Sequence, residues 1–407
     1  MSFDADVIIV GGGLAGLSAA ITAVKEGLSV IVIERGEYSG AKNVSGGRMY
    51  IHALQQLIPD ALERAPLERP ITKETFVFYC SDDKKLTLSF EEKGKKNSYS
   101  VLRAKFDQWL AKEAESLGVL ISYSTLLTGA RREGNGIVIE TNRGELRAPL
   151  VIEADGVTAP LSRFLGLRRM EPKYYMLGVK EVLNIKPEGD EGEAVTIVGL
   201  TKGYKGGVFT YTNKDTISFG FTLKVDSLYN SDKPSHQLIE EIREKLGLKG
   251  EILEYSAHLI PYFGYENLPK LYDANIMVTG DAAGLLYEDG FVIRGMDMAI
   301  GSGMIAGKAA KKIKDLGDYT KTDIYYEMLK ESFVLKDLEN AWRSFKVLEA
   351  DEKIYSSYPD FICSALSKLF SVDSNGRQRP LKVLLSSAKE KGVSVTEALK
   401  DIMEMVL

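Results

Sequence analysis

The sequence predicts an α/β fold: a Rossmann-like domain carrying an inserted antiparallel-sheet domain and followed by a helical C-terminal region. Three observations predict it. A glycine-rich turn, Gly11-Gly12-Gly13, joins a buried-type strand to a helix near the start of the chain. From about residue 173 to 269 short strand-like runs alternate with Gly, Asn and Asp turns. Near Ala274 the pattern returns to a buried strand followed by a helix, so the first domain is split by the second.

The elements follow in order. Asp6–Val10 is β-branched and uncharged after Asp6, as in a parallel strand covered on both faces. Gly13–Glu26 reads as helix, closed by Gly27, and Ser29–Glu34 as a second buried strand. In Arg103–Leu117, Phe106, Leu110, Ala114 and Leu117 recur at helical spacing. Val119–Ser122, Gly136–Thr141 and Leu150–Ala154 read as strands. Met176–Leu183, Ala194–Val198, Val208–Thr212 and Thr216–Leu223 form the antiparallel set, with His236–Leu246 as a helix laid on it. Ala274–Thr279 and Met298–Ile313 complete the first domain. The expected division is 1–75, 101–172 and 270–315 for the Rossmann-like domain, 76–100 for an excursion into the sheet domain, 173–269 for the sheet domain, and 316–407 for the helical region.

Composition excludes several functions. With 407 residues the chain needs more than one core, and its net charge of −5 leaves no basic face for nucleic acid. Two cysteines, Cys80 and Cys363, and three histidines are too few for a zinc or iron–sulfur site. No metal site is therefore expected, and the cysteines read as packing residues of a protein from a reducing, cytosolic compartment. Val7 to Val24 holds eighteen residues without a charge, but the three glycines interrupt it, so it reads as strand, turn and helix rather than as a membrane span.

Three motifs carry the chemistry. The first is Gly11-x-Gly13-x-x-Gly16, followed by a strand that ends in Glu34. Gly11 permits the turn, Gly13 lets the backbone approach a pyrophosphate, Gly16 lets the helix pack on the strand, and Glu34 accepts hydrogen bonds from ribose hydroxyls. Ala15 and Arg35 adjoin these positions and complete this group of candidates. The second motif is Ile152-Glu153-Ala154-Asp155-Gly156 and the third Thr279-Gly280-Asp281-Ala282-Ala283-Gly284. Each sets a carboxylate beside glycine after a strand. A ribityl chain needs such acceptors and NAD has none, so the expected cofactor is FAD, held by Asp155, Gly156, Gly280 and Asp281.

These motifs resemble the flavoprotein hydroxylase and reductase superfamily, whose FAD-binding domain is of the GR2 type. That resemblance places Asp281 at the ribityl chain, Asp155 near pyrophosphate and ribose, and Arg103 against FAD. The chain departs from the pattern after Gly156, where Thr158-Ala159-Pro160 stands in place of Asn-Ser. Further segments narrow the match. Gly40 to Arg48, Gly178-Val179-Lys180-Glu181, Gly206 to Asp215 and Gly290 to Asp297 are similar to FixC, the flavoprotein subunit of electron-transfer-flavoprotein:quinone oxidoreductases, from Asp6 to about Arg377. The geranylgeranyl reductases form a sister branch.

The FixC resemblance implies that Ala41, Lys42, Asn43, Val44, Ser45, Gly46 and Gly47 pass beside the isoalloxazine ring. Gly290, Gly295 and Met296 would lead into a helix whose positive end faces the flavin. It also implies electron-transfer flavoprotein subunits and a ferredoxin-like iron–sulfur subunit as partners and a membrane quinone as acceptor. The setting would be peripheral, at the inner face of the cell membrane. Some such complexes bifurcate electrons. No protein residue is expected to be catalytic, the chemistry being carried by FAD; Lys180, Glu181 and Arg294 are candidates for tuning it. Tyr355–Phe370 is expected to be an amphipathic helix that meets membrane, partner or the protein's own core. A prenyl-lipid reductase, a flavin monooxygenase, and an electron-carrier or scaffold subunit without its own substrate site remain as alternatives.

Overall fold

The computed structural model describes residues 2–42, 47–201, 203–229, 231, 233–372, 374 and 376–406. The chain divides into two units, each built from three separate segments.

The first unit comprises Met1–Glu68, Asn97–Tyr175 and His258–Trp342. Its sheet runs in the order Tyr272–Asp273, Ile276–Val278, Leu150–Glu153, Val7–Val10, Val30–Ile33, Leu120–Ser122. All neighbours are parallel except the first pair. The apolar, β-branched strand Val7–Val10 is fully buried at its centre. The chain leaves this strand toward one side through Val30–Ile33 and returns on the other through Leu150–Glu153, so the order switches there. Ligands of open α/β sheets bind at the carboxyl ends of the strands at such a switch. Leu127–Glu133, Gly136–Thr141 and Gly144–Ala148 form a separate antiparallel meander.

Two helices make the first unit compact around that switch. Leu14–Lys25 and Met296–Leu316 lie with their backbones almost touching. The unit runs on past residue 315, where the sequence placed its end, to Trp342. The helices Asp323–Lys330 and Phe333–Asn340 bury Tyr325, Leu329, Val334, Leu335 and Leu338 in its core. The Tyr325 hydroxyl also donates to the Val278 carbonyl at 2.9 Å.

The second unit comprises Arg69–Lys96, Met176–Ala257 and Arg343–Leu407. Its sheet runs Ile252–Pro261, Tyr175–Leu183, Ile217–Lys224, Gly206–Thr212, Gly192–Val198, Leu67–Ser81, with Lys84–Glu91 added on Leu67–Ser81. From Tyr175–Leu183 onward neighbours pair antiparallel, except Gly192–Val198 and Leu67–Ser81, which are parallel. Val179, Leu183, Phe219 and Phe221 line one face and pack with Leu238, Ile239 and Ile242 of the helix Ser235–Lys245. The long strand Leu67–Ser81 alternates too weakly to be read from sequence.

Cys80 and Cys363 form a disulfide, with Cα atoms 6.4 Å apart and 283 positions between them in sequence. Both lie in the second unit, where the helix Ser357–Phe370 meets the sheet edge. Neither is a free packing residue, and the pair removes the argument for a reducing compartment that rested on them. No described helix is long and apolar enough to cross a membrane.

Candidate functional site

The carboxyl ends of the central strands gather the three motifs. Gly11 has φ +108°, and a Cβ there would stand 2.2 Å from the Ala154 carbonyl oxygen. Only glycine accepts both the backbone and the contact. A Cβ on Gly16 would stand 1.9 Å from the Gly11 carbonyl oxygen, so the helix can close on the turn only without one. A Cβ on Gly13 would meet nothing within 4 Å. Gly13 is also the N-cap of Leu14–Lys25, with no side-chain cap and no acidic residue in the first turn. Its first N–H groups are thus uncapped by any side chain, at the positive end of the helix, which suits an anion.

Glu34 braces the turn. Its Oε2 accepts from Gly12 N at 2.8 Å and its Oε1 from Gly36 N at 2.6 Å. Each oxygen keeps a further lone pair for a ligand hydroxyl. Arg35 and Lys42 are exposed, and Ala41 is half-buried. Asn43, Val44, Ser45 and Gly46 lie outside the described residues. At Gly47 a Cβ would sit 4.0 Å from Met296 Sδ, which brings this loop's end to the start of the Met296–Leu316 helix.

Arg103 opens its helix and is clamped by Asp107, one turn on, through Nε–Oδ1 at 2.7 Å and Nη2–Oδ2 at 2.8 Å. Burial opposes the charge on Arg103. The Asp107 carboxylate, with Asp281 acting at longer range, more than restores it. Asp155 Oδ2 accepts from Leu161 N at 2.9 Å, while its Oδ1 is buried without a hydrogen-bond partner among the described residues. Glu153, fully buried on the preceding strand, takes the Ser162 N–H at 2.9 Å and the Ser162 hydroxyl. Burial raises the pKa of both carboxyls, and for Asp155 the neighbouring Glu153 charge adds to it. Gly156 (φ +84°) faces open space.

The third motif packs against the Met296–Leu316 helix through Ser302. Gly280 has φ +62°, and its Cβ would stand 2.7 Å from Ala15 Cβ; its N–H donates to Ser302 Oγ at 3.2 Å. Asp281 is half-exposed, with His258 Nε2 3.8 Å from its Oδ2. Gly290 (φ +89°) lies in the turn between Tyr287–Glu288 and Ile293–Arg294. Gly295 is the N-cap of the helix that begins at Met296, and no side chain caps it.

Residues 6–161 match the family model of FAD dependent oxidoreductases. The chain is 34% identical to the probable electron transfer flavoprotein-quinone oxidoreductase YdiS of Escherichia coli K12, over 95% of each chain. It is 35% identical to protein FixC of the same strain, also over 95% of each. The chain belongs to the FixC family. Like other members it is an FAD-dependent oxidoreductase. Its fold matches that of a geranylgeranyl bacteriochlorophyll reductase-like protein from Thermoplasma acidophilum at a TM-score of 0.74 and 22% identity, covering 98% and 99% of the two chains. A halogenase, PltM, in complex with FAD matches at 0.67 and 14% identity, over 90% and 80%.

The residues of this FixC-family chain fit FAD. The open helix start at Gly13 suits its pyrophosphate, Glu34 a ribose, Asp281 a hydroxylated chain, and Asp155 Oδ1 is a buried polar atom that a ligand hydroxyl can engage. When bound, FAD takes up and releases electrons; these residues would hold and orient it. Lys180 and Glu181 are buried neighbours on Tyr175–Leu183 in the second unit, where burial raises the Glu181 pKa against the opposing charge of Arg243.

Sequence reasoning missed Asp107, Ser302, Gly303 and Gly307. Two signals were available: Asp107 stands four residues after Arg103, and Gly303-x-x-x-Gly307 interrupts an otherwise good helix former. The pairing of His52 with Asp297 gave no signal, because their meeting is tertiary.

Proposed function

We propose that the chain receives electrons from an electron-transfer flavoprotein through a separate ferredoxin-like iron–sulfur subunit, and that its FAD passes them to a membrane quinone. The observation that carries this reading is the end-to-end likeness to YdiS, a probable electron transfer flavoprotein-quinone oxidoreductase. The disulfide supports the separate subunit, since it occupies both cysteines and leaves no thiolate for a cluster. The test is a reduction assay on the FAD-loaded chain with menaquinone and ubiquinone analogues and a geranylgeranyl lipid, with and without copurified partners. Quinone reduction that needs the partners is expected. Rapid FAD reduction by NADH without them, or turnover of the lipid alone, would overturn the reading.

A quinone reductase without a span must meet the bilayer at a surface. The helix Ser357–Phe370 has buried Ala365 and half-buried Phe361, Ile362, Leu366 and Leu369, and Cys363 pins it to the sheet. Its stripe is thus largely occupied by the protein's own core. Exposure begins at its end: Phe370 is 82% exposed and Leu381 67%. Residues 368–391 carry six Lys or Arg against Asp373 and Glu390, although the whole chain is negative. Apolar side chains among basic ones fit an anionic lipid surface. Flotation with anionic but not neutral vesicles is expected, and is expected to fail in Phe370→Asp/Leu381→Asp with FAD content unchanged.

A further inference from the structure

Asp297 is the second residue of the helix Met296–Leu316 and only 1% exposed. A carboxylate at that point, left alone, would cancel much of the positive end of the helix. It is not alone. Its Oδ2 accepts from Arg294 Nε at 2.9 Å, Arg294 Nη2 at 2.5 Å and His52 Nε2 at 3.0 Å. Arg294 Nη1 reaches Asp337 Oδ2 at 2.7 Å. The guanidinium lies 5.4 Å from the Tyr50 ring centroid and 4.9 Å from that of Tyr287, and His52 packs edge-on against Phe333 at 4.5 Å. Asp297 Oδ1 is buried with no hydrogen-bond partner among the described residues. Burial disfavours the Asp297 carboxylate, but His52 and Arg294 outweigh that, and its pKa lies below the ordinary value.

Such a cluster is a poor device for stability, since well-packed apolar side chains do as well as buried ion pairs. Its position suggests another use. Asp297 follows Gly295 and Met296, and Met296 faces Gly47; these three are the candidate flavin-side residues. Charges held rigidly in a half-buried setting are felt strongly by a neighbour that gains charge.

We propose that Arg294, fixed between Asp297 and Asp337, and Asp297 itself set the electrostatic field at the start of this helix and thereby the reduction potential of the bound FAD. The proposal needs FAD in the family's site and is independent of which partner delivers or removes electrons. Reduction adds negative charge to the flavin. Arg294 therefore favours the reduced form and Asp297 the oxidised form.

The test is a spectroelectrochemical titration of the FAD-loaded full chain, without partners or acceptor. Arg294→Gln should shift the midpoint downward and Asp297→Asn upward, with the double variant between them and Arg294→Lys close to the parent. Opposite signs distinguish a field from a structural role, which would move both variants the same way. Shifts of the same sign, or no shift with FAD retained, would overturn the proposal. If Arg294→Gln does not keep FAD, Asp297→Asn and Arg294→Lys decide: a midpoint that fails to rise in the first, or that falls far in the second, overturns it as well. Quinone or lipid turnover does not enter this readout, so its failure and that of the proposed function are distinguishable.

Discussion

A Cβ placed on Gly303 would stand 2.2 Å from the carbonyl oxygen of Ala15. Four residues on, a Cβ on Gly307 would stand 2.7 Å from the Ala19 carbonyl oxygen. The helix that starts in the first motif and the helix Met296–Leu316 therefore meet backbone to backbone, and Gly280 of the third motif packs against both, at Ala15 and Ala299. Gly303→Val should force them apart. Overpacking costs of about 1–3 kcal/mol are typical, and a contact with backbone cannot be relieved by a rotamer change. A lower melting temperature together with reduced FAD content is the expected result, measured by thermal unfolding and flavin absorbance.

Asp281→Ala should weaken FAD binding while leaving the fold intact, because the side chain is half-exposed and makes no close hydrogen bond among the described residues. Loss of an acceptor for buried hydroxyls costs roughly 1–3 kcal/mol, or about 5- to 150-fold in Kd. Fluorescence titration of the apoprotein with FAD measures it. An unchanged Kd would remove Asp281 from the site.

Glu153 and Asp155 make the stability of the apoprotein depend on pH. Burial raises both values, and the charge of Glu153 raises that of Asp155 further. The folded chain thus holds protons that the unfolded carboxyls have released. The contribution of the pair is full below the unfolded carboxylate range and is lost as pH rises through the folded values. Asp155→Asn, which can still accept from Leu161 N, should flatten this loss. Its melting temperature should exceed that of the parent more at about pH 8 than at about pH 5, while its FAD affinity falls.

The disulfide should stabilise the second unit. Cys363→Ser should lower stability by about 2–4 kcal/mol, the usual range for a bond that closes a long loop. Reductant should lower the melting temperature of the parent toward that of the variant and leave the variant unmoved. Thiol alkylation followed by mass measurement checks the bond directly.

The sequence by itself determined the Rossmann-like unit and the family. Gly11, Gly13, Gly16, Glu34, Asp155 and Asp281 could be picked out because each sits at a fixed step after a buried strand, and such strands announce themselves by β-branched runs. The positive φ of Gly11 and the close approach of Gly16 to Gly11 are local, so composition and spacing encode them, whereas the contact of Gly11 with Ala154 is tertiary. What only the tertiary structure decided involves partners far apart in the chain. Cys80 and Cys363 meet across 283 positions, and His52 reaches Asp297 across 245. Neither pairing follows a helical or strand period, so no pattern in the sequence foretells it. The same reason explains the shifted boundary at Trp342: the helices after residue 315 look alike in sequence, and only the apolar surface available to each decides which core it joins.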